Sequence, residues 1–587
     1  MRTFLLTFLG GLAALIVFFV LIPLVLIMSF LPSGEPPRAH NAVLELDLRN
    51  ASHDQPASDA ISAAFSDTSF VEVLLRLNAA VNDPDIKGVF VRAAEMDMGS
   101  SRAEELRAAF LRLRAKDKFV IAHTQGFLAS GPSAYRAISA ANQIWMQPGT
   151  SFETPGIRFE TMFLGGAAEK LKIDPEIEAF YEYKNAPDVY KRKDYSEPHA
   201  RAMTELAESV WRHSIADIAV DRKMDPAALR TMLEASPYQA PRAVELKLVD
   251  RLGYPEEAAA EARKLADGDL LEIANYHPRS PRGRAVIAVV GGEGDIVTGR
   301  GGATDLTSIG TPIFASDRVS AELDAIAEDK TINAVVFRVD SGGGSATASD
   351  QVWSAVKRVQ ASGKKVVVSM GSLAASGGYY VAASADSVVA NRSTITGSIG
   401  VFGGKVAIGD ALRNFGINPA SVGVGGEYAG AYSADKFTPA QRTKLLESLQ
   451  ATYDRFTGIV AEGRKLPLQK VQEIARGRVW SGEDALANGL VNKTGDLMVA
   501  IDEARKLAGF KEEDGVDIRL QVQNTTPFQL LTSMMTQAKV GGSVDSRVAS
   551  ALVSTLGEAR AQALLSQLSQ ISQPQSTRAW LPPVIEH

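Results

Sequence analysis

Residues 363–380 read GKKVVVSMGSLAASGGYY. Val366, Val367 and Val368 form a β-branched run suited to a buried strand. After a turn at Gly371, the small residues Ala374 to Gly378 open a segment that continues as a helix from Tyr379. Ser376 therefore falls at a strand-to-helix corner, flanked by residues too small to block a substrate and close to the partial positive charge of a helix N-terminus. A hydroxyl there suits a nucleophile. It equally suits an ordinary helix N-cap, the role most serines play before a helix.

Upstream, the strand ending at Phe337-Arg338 runs into Asp340-Ser341-Gly342-Gly343-Gly344-Ser345, a row of backbone N–H groups that only glycines leave bare. Convergent N–H groups are what an oxyanion hole needs; a glycine-rich turn or a phosphate cradle is the competing reading. No G-x-x-x-x-G-K-[ST] loop occurs in the chain.

Further out, the same pattern is met twice. Asp83-Pro84-Asp85-Ile86-Lys87-Gly88-Val89-Phe90-Val91-Arg92 resembles the stretch from Asp329 to Arg338, and Ala134–Ala140 echoes Tyr379–Ala385. Glu182-Tyr183 returns as Glu427-Tyr428, Leu248-Val249-Asp250 as Leu490-Val491-Asn492, and Glu261–Ala266 as Glu503–Ala508. Constant order at a nearly constant offset marks a tandem duplication. Short apolar strands alternate with amphipathic helices, such as 348–360, so each copy reads as an α/β domain with a mainly parallel sheet. The run Ala42–Leu48 reads as a half-buried strand, 70–81 as a helix, and 201–221 and 442–462 as helices able to pack one copy on the other.

Comparing the copies separates their chemistry. Where the second copy has its glycines, the first has Ala94-Glu95-Met96-Asp97-Met98-Gly99. Conversely, Glu182-Tyr183-Lys184-Asn185 aligns with Glu427-Tyr428-Ala429-Gly430, so Lys184 has lost its counterpart. A serine nucleophile needs a base, and the second copy holds no histidine between His277 and the final His587. A lysine serves when burial lowers its pKa toward neutrality; an exposed lysine in a charged loop is the plainer reading of Lys184. Ser130, which the sequence match sets opposite Ser376, lacks the glycines and reads as a relic.

The 587 residues suggest several domains, and 45% hydrophobic with 22% charged residues makes most of the chain globular. A net charge of -6 gives no basic field for nucleic acid. Absence of cysteine removes disulfides, thiolate catalysis and zinc-thiolate sites. From Phe4 to Leu31 there is no charged residue. As a helix this stretch is roughly 40 Å long, enough to cross a bilayer of about 30 Å. Arg2 on the short side favours an N-terminus in the cytoplasm, with the remainder outside. The expected layout is an anchor over 1–31, a proline-rich linker over 32–40, a first α/β repeat over 41–276, a second over 284–525 and a weakly ordered tail over 526–587 with one helix over 546–568.

The strings FRVDSGGGSATAS, VVVSMGSLAASGGYY, ANRSTITGSIGVFG and EYKNAPDVYKRKDYS, in this arrangement behind an N-terminal anchor, resemble the signal peptide peptidase A family in its long, two-repeat form. The resemblance implies a tandem Clp protease/crotonase-like fold and a Ser-Lys dyad endopeptidase of the inner membrane, its catalytic part periplasmic. Substrates would be signal peptides and other short apolar peptides. It also implies a homo-oligomer, a tetrameric ring, with no metal and no cofactor. Carried onto this chain, the nucleophile is Ser376, the base Lys184 and the lysine-orienting hydroxyl Ser398. The oxyanion donors are Gly377 and a glycine of the Gly343-Gly344 pair. The family's Ser-Pro-Gly-Gly is here Ser341-Gly342-Gly343-Gly344, and Asn185 stands where a serine is common. Rival readings are an acyl-CoA enzyme of the same fold and a catalytically inactive membrane-anchored assembly or binding protein.

Overall fold

The computed structural model describes residues 40–521 apart from 51, 58–67, 97, 129–130, 279–282 and 302–311, together with 578–580 and 585–586. The expected anchor and the expected tail helix lie outside the described residues. Among those described, no helix is long and apolar enough to cross a membrane.

Two parallel sheets repeat one strand order. In the first the order is Leu270–Glu272, Ala42–Asp47, Ile86–Arg92, Phe119–Thr124, Gln143–Met146 and Arg251–Leu252. In the second it is Val516–Leu520, Ala285–Glu293, Ala334–Ser341, Lys365–Ala375, Ser387–Ala390 and Lys493–Thr494. The duplication thus extends from sequence to topology. Strand Ala42–Asp47 is not half-buried as its alternation suggests: Ala42, Val43, Leu44 and Leu46 are all buried. Helices cover both faces of this sheet, Leu44 facing the large shared core and Val43 the helix Pro255–Ala266, as parallel sheets require.

Helix boundaries follow local chemistry. Helix Phe70–Asn82 starts at a Ser69 capping box completed by Glu72, and buries Phe70, Val73, Leu74, Leu77 and Val81. Helix Ala346–Ala361 begins two residues before the expected start because Ser345 caps it, its Oγ accepting the Ala348 N–H at 3.3 Å. The long helices Glu197–Arg222 and Pro439–Arg464 share a hydroxyl N-cap, a first-turn proline and a left-handed lysine at the end.

Both long helices join the copies. His213 Nε2 on the first lies 2.6 Å from Glu483 Oε2, and Arg442 on the second lies 2.6 Å from Glu178. The apolar core is also shared, since Leu497, Ala500, Ile501 and Ala504 of the second repeat pack in one cluster with Leu74, Leu77, Leu106 and Phe110 of the first. A third sheet crosses the boundary, strand Asp174–Ala179 of the first repeat pairing antiparallel with Phe402–Ala407 of the second. The repeats therefore meet as one body, and the residues singled out by sequence lie where they meet.

Candidate active site

Strand Lys365–Ala375 carries Ser376 at its end. It runs through Gly371 without the expected turn. Instead its register against Ala334–Ser341 slips, Met370 pairing Val339 but Ala374 pairing Ser341, so the strand bulges at residues 371–373. Asp340 fixes the bulge, its Oδ1 accepting the Leu373 N–H at 2.9 Å. Beyond it Ser376 takes φ 55° and ψ -116°, a conformation unfavourable to a side chain, immediately before helix Gly377–Ala382. Its hydroxyl makes no capping bond. The ordinary N-cap reading is therefore not what this side chain does.

Instead the Ser376 hydroxyl meets Lys184. Nζ of Lys184 is 2.7 Å from Ser376 Oγ, 3.0 Å from Ser398 Oγ and 3.1 Å from the Ser398 carbonyl. Lys184 is only 3% exposed, so the exposed-lysine reading does not hold. Burial lowers its pKa from 10.5 to about 7. Its loop is clamped by the second repeat. Glu182 accepts three bonds from Arg476, and the Arg476 guanidinium lies 4.8 Å from the Tyr181 ring centre. Gly477, at φ +80°, sits so close that a Cβ there would come within 2.5 Å of Lys184. Only glycine permits that approach. Ser398, also left-handed at φ 49°, is held by its N–H donating to the Arg478 carbonyl at 2.7 Å.

The glycines gather at the same corner. A Cβ added to Gly377 would lie 3.1 Å from Gly343 Cα and 3.2 Å from Gly344 N. Gly377 is the first residue of its helix, so its N–H has no intrahelical acceptor. Gly343 and Gly344 adopt φ of 106° and 154°, which favour glycine. The Gly343 N–H donates to Ser341 Oγ at 3.1 Å, a partner not foreseen from sequence. All six residues singled out by sequence thus lie around one corner. Ser130 lies outside the described residues. In the first repeat the residue before the corresponding helix, Ser133–Ile138, is Pro132, which has no hydroxyl. The tyrosines fix this correspondence, Tyr135 and Tyr379 donating to the carbonyls of Leu248 and Leu490 respectively; Tyr135 thus matches Tyr379, one place from the register read in the sequence.

Other supporting residues escaped sequence reading. Arg338 is fully buried and bonds two first-repeat carboxylates, Asp54 and Glu105, at 2.8 Å each. Burial, followed by the charge of Asp54, pushes the Asp340 carboxyl up to about 7. The only sequence signal was the charge itself, an arginine and an aspartate inside the apolar run AVVFRVDS.

The model of "Peptidase family S49" matches residues 112–269 and 358–511, one stretch holding Lys184 and the other Ser376 and Ser398. The chain belongs to peptidase family S49. This S49 chain is 28% identical over 483 residues to "Serine protease SPPA, chloroplastic" of Arabidopsis thaliana, covering 80% of this chain and 69% of that protein. It is 27% identical over 500 residues to "Protease 4" of Haemophilus influenzae, covering 81% and 78%. Among solved structures, a ClpP1 point mutant from Listeria monocytogenes is similar at 15% identity and a TM-score of 0.24, covering 36% of this chain and 94% of that one. At that score the likeness carries no weight for the fold.

Proposed function

We propose that this S49 peptidase is a membrane-anchored serine endopeptidase that degrades cleaved signal peptides and other short apolar peptides through a Ser376–Lys184 dyad. The observation that carries the reading is a buried lysine, its pKa brought to about 7, with Nζ 2.7 Å from the hydroxyl of a conformationally strained serine. Near neutral pH a large fraction of Lys184 is the free amine. The Ser376 hydroxyl then donates to the Nζ lone pair, while the amine hydrogens donate to Ser398 Oγ and the Ser398 carbonyl. Ser398 thereby aims the lone pair.

In the first half-reaction Lys184 takes the Ser376 proton as Oγ attacks the peptide carbonyl. The oxyanion accepts from the Gly377 N–H and an N–H of the Gly343-Gly344 pair, each donor worth roughly 3 to 4 kcal/mol in the transition state. The lysine passes its proton to the leaving amine, an ester to Ser376 remains, and water activated by Lys184 hydrolyses it. The fold belonging to this reading is a doubled Clp protease/crotonase-like domain behind one membrane helix. The catalytic part would be periplasmic and the assembly a tetrameric ring. An extended substrate is supported by the strand Gly343–Ser345, which in this structure pairs antiparallel with the extended backbone of Arg578–Trp580.

The test is cleavage of an apolar signal peptide by the detergent-solubilised protein, comparing wild type with Ser376→Ala and Lys184→Met. Loss of activity in both variants, with folding intact, is expected. Retained activity in either removes that residue from the mechanism. A wild type that cleaves nothing and leaves an acylating inhibitor unreacted moves the inactive assembly reading ahead.

A further inference from the structure

The bulge that delivers Ser376 is gripped from both repeats. Its last N–H, on Leu373, donates to Asp340 Oδ1 at 2.9 Å. Its first carbonyl, on Gly371, accepts from Ser101 Oγ of the first repeat at 3.1 Å and from Thr394 Oγ1 at 2.8 Å. Gly371 also makes room for the carboxyl, since a Cβ there would come within 2.8 Å of Asp340 Cγ. That close approach explains a glycine which the strand passes through without turning.

Asp340 is itself held in place. Its carbonyl accepts the Gly294 N–H at 3.0 Å. Arg102, on helix Ser100–Arg114 of the first repeat, reaches between two carboxylates, Nη2 lying 3.9 Å from Asp340 Oδ2 and 3.9 Å from Glu293 Oε1. Nη1 of the same guanidinium donates to the Ser52 carbonyl at 2.6 Å. At the matching place the first repeat has Ala94, and there Phe119–Thr124 pairs with Ile86–Arg92 in unbroken register. The copy without the carboxylate shows no slip.

We propose that Asp340 is a positioning residue for the nucleophile, its carboxylate holding the bulge that presents Ser376 to Lys184, with Arg102 of the other repeat as counter-charge. This rests on the dyad reading above. A bulge gives up ladder bonds, and a charge-assisted bond from Leu373 replaces what is lost just ahead of Ser376. Displacing a reacting atom by about 1 Å costs on the order of 100-fold in rate, so a bond that never touches substrate controls kcat. The carboxyl faces Asp54 and Arg102 from the first repeat, Glu293 on strand Ala285–Glu293 and Arg338 on its own strand. Burial, then the charge of Asp54, pushes it up to about 7, Glu293 adding to this while Arg102 and Arg338 oppose it. Cleavage near neutrality therefore waits on two deprotonations, of Lys184 and of Asp340. The same shift costs stability. Between pH 3.8 and about 7 the native carboxyl keeps a proton that the unfolded chain has released, so above pH 7 the ionised Asp340 weakens the fold.

The variants are made in the full chain. Asp340→Asn keeps the outline of the side chain and an acceptor for Leu373 but loses the charge, and is expected to lower kcat about tenfold at pH 8 with KM within about twofold. Asp340→Ala is expected to lose about 100-fold. Below pH 6 the logarithm of kcat should fall with a slope of about 2 in wild type and about 1 in Asp340→Asn. Arg102→Gln moves the acid limb to higher pH, and moves nothing once Asp340→Asn is present. Because asparagine relieves a buried charge, Asp340→Asn is expected to melt no lower than wild type at pH 8. Melting temperature and rate lost in parallel would leave Asp340 a structural role and overturn the proposal, as would an unchanged rate and slope.

A readout without turnover comes from Ser376→Cys, which puts a single thiol into a chain that has no cysteine. Beside Lys184 that thiol titrates below the value of about 8.5 for a free thiol, as read by alkylation rate against pH, and adding Asp340→Ala is expected to return it toward that value. An unmoved thiol overturns the positioning role whatever the cleavage assay gives. If the thiol moves while no version cleaves peptide, Asp340 keeps its role and the peptidase reading falls; if cleavage needs Ser376 and Lys184 but ignores Asp340, only the role of Asp340 falls.

Discussion

The two repeats fold to one strand order and then diverge at the same strand. In the first, Ile86–Arg92 ends at Arg92, a half-buried arginine whose guanidinium donates to Gln125 at 3.3 Å. In the second, Ala334–Ser341 carries Arg338 at the matching place, fully buried against Asp54 and Glu105, and leads directly into the glycines. The first repeat keeps Lys184, the second Ser376 and Ser398. Neither copy carries the whole candidate site, and the residues that each retains meet at the boundary between them. The difference teaches that the site is a property of the docked pair.

The strongest way to break the comparison is to strip the second repeat of its hydroxyl. Ser376→Ala is expected to lower kcat/KM on the order of 10⁴-fold or more, while Ser130→Ala in the first repeat leaves it unchanged. Peptide cleavage followed by mass spectrometry reads both. A Ser130→Ala loss of similar size would mean that the copies do not divide the chemistry as described.

Next in size is the boundary. Arg338→Met leaves two buried carboxylates without their cation and is expected to cost about 3–5 kcal/mol, whereas Arg92→Met at the matching position costs under about 1 kcal/mol. Urea unfolding of the pair gives the contrast, and equal losses would show that Arg338 does not join the repeats.

The lysine sharpens the comparison with opposite signs for activity and stability. A base titrating at about 7 is protonated and inert below that pH, so kcat is expected to rise as pH increases through 7 and then level off. Between pH 7 and 10.5 the unfolded chain holds a proton on this lysine that the native chain lacks, so stability climbs with pH across that window. Lys184→Met abolishes cleavage yet should stabilise the fold below pH 7, by roughly 5 kcal/mol at most and by about half that once the unpartnered Ser376 and Ser398 hydroxyls are counted. A melting temperature below wild type at pH 6 would contradict the lowering of the Lys184 pKa by burial. Smallest is Gly342→Pro. Gly342 does not adopt a positive φ, so proline there should keep activity and add about 0.5 kcal/mol by stiffening the unfolded chain.

Much of this was legible in the sequence because its signals are local. The valine run before Ser376, the glycines after Arg338 and the repeated strings each announce themselves within a few residues. The lysine was found only because a second copy supplied a comparison. What was hidden depends on distance along the chain. Arg338 meets Asp54 across 284 positions, and Gly477 touches Lys184 from the far repeat. The bulge at 371–373 was read as a turn because a glycine marks both, and only the Asp340 bond distinguishes them. Nor did the composition of the tail suggest a strand at 578–580, since its pairing belongs to the groove that receives it.

The spacing of the dyad also orders events at the ribosome. Lys184 is made 192 residues before Ser376. At roughly 5–20 residues per second, about 10 to 40 s separate the synthesis of Lys184 from that of Ser376. During that interval Gly400 and Gly477, which pack against the lysine in the folded protein, have not yet been made. A polypeptide abandoned midway would carry only the Lys184 half of the proposed dyad. On the proposed mechanism, cleaving power would wait for the completion of translation and docking, a safeguard written into the order of the gene.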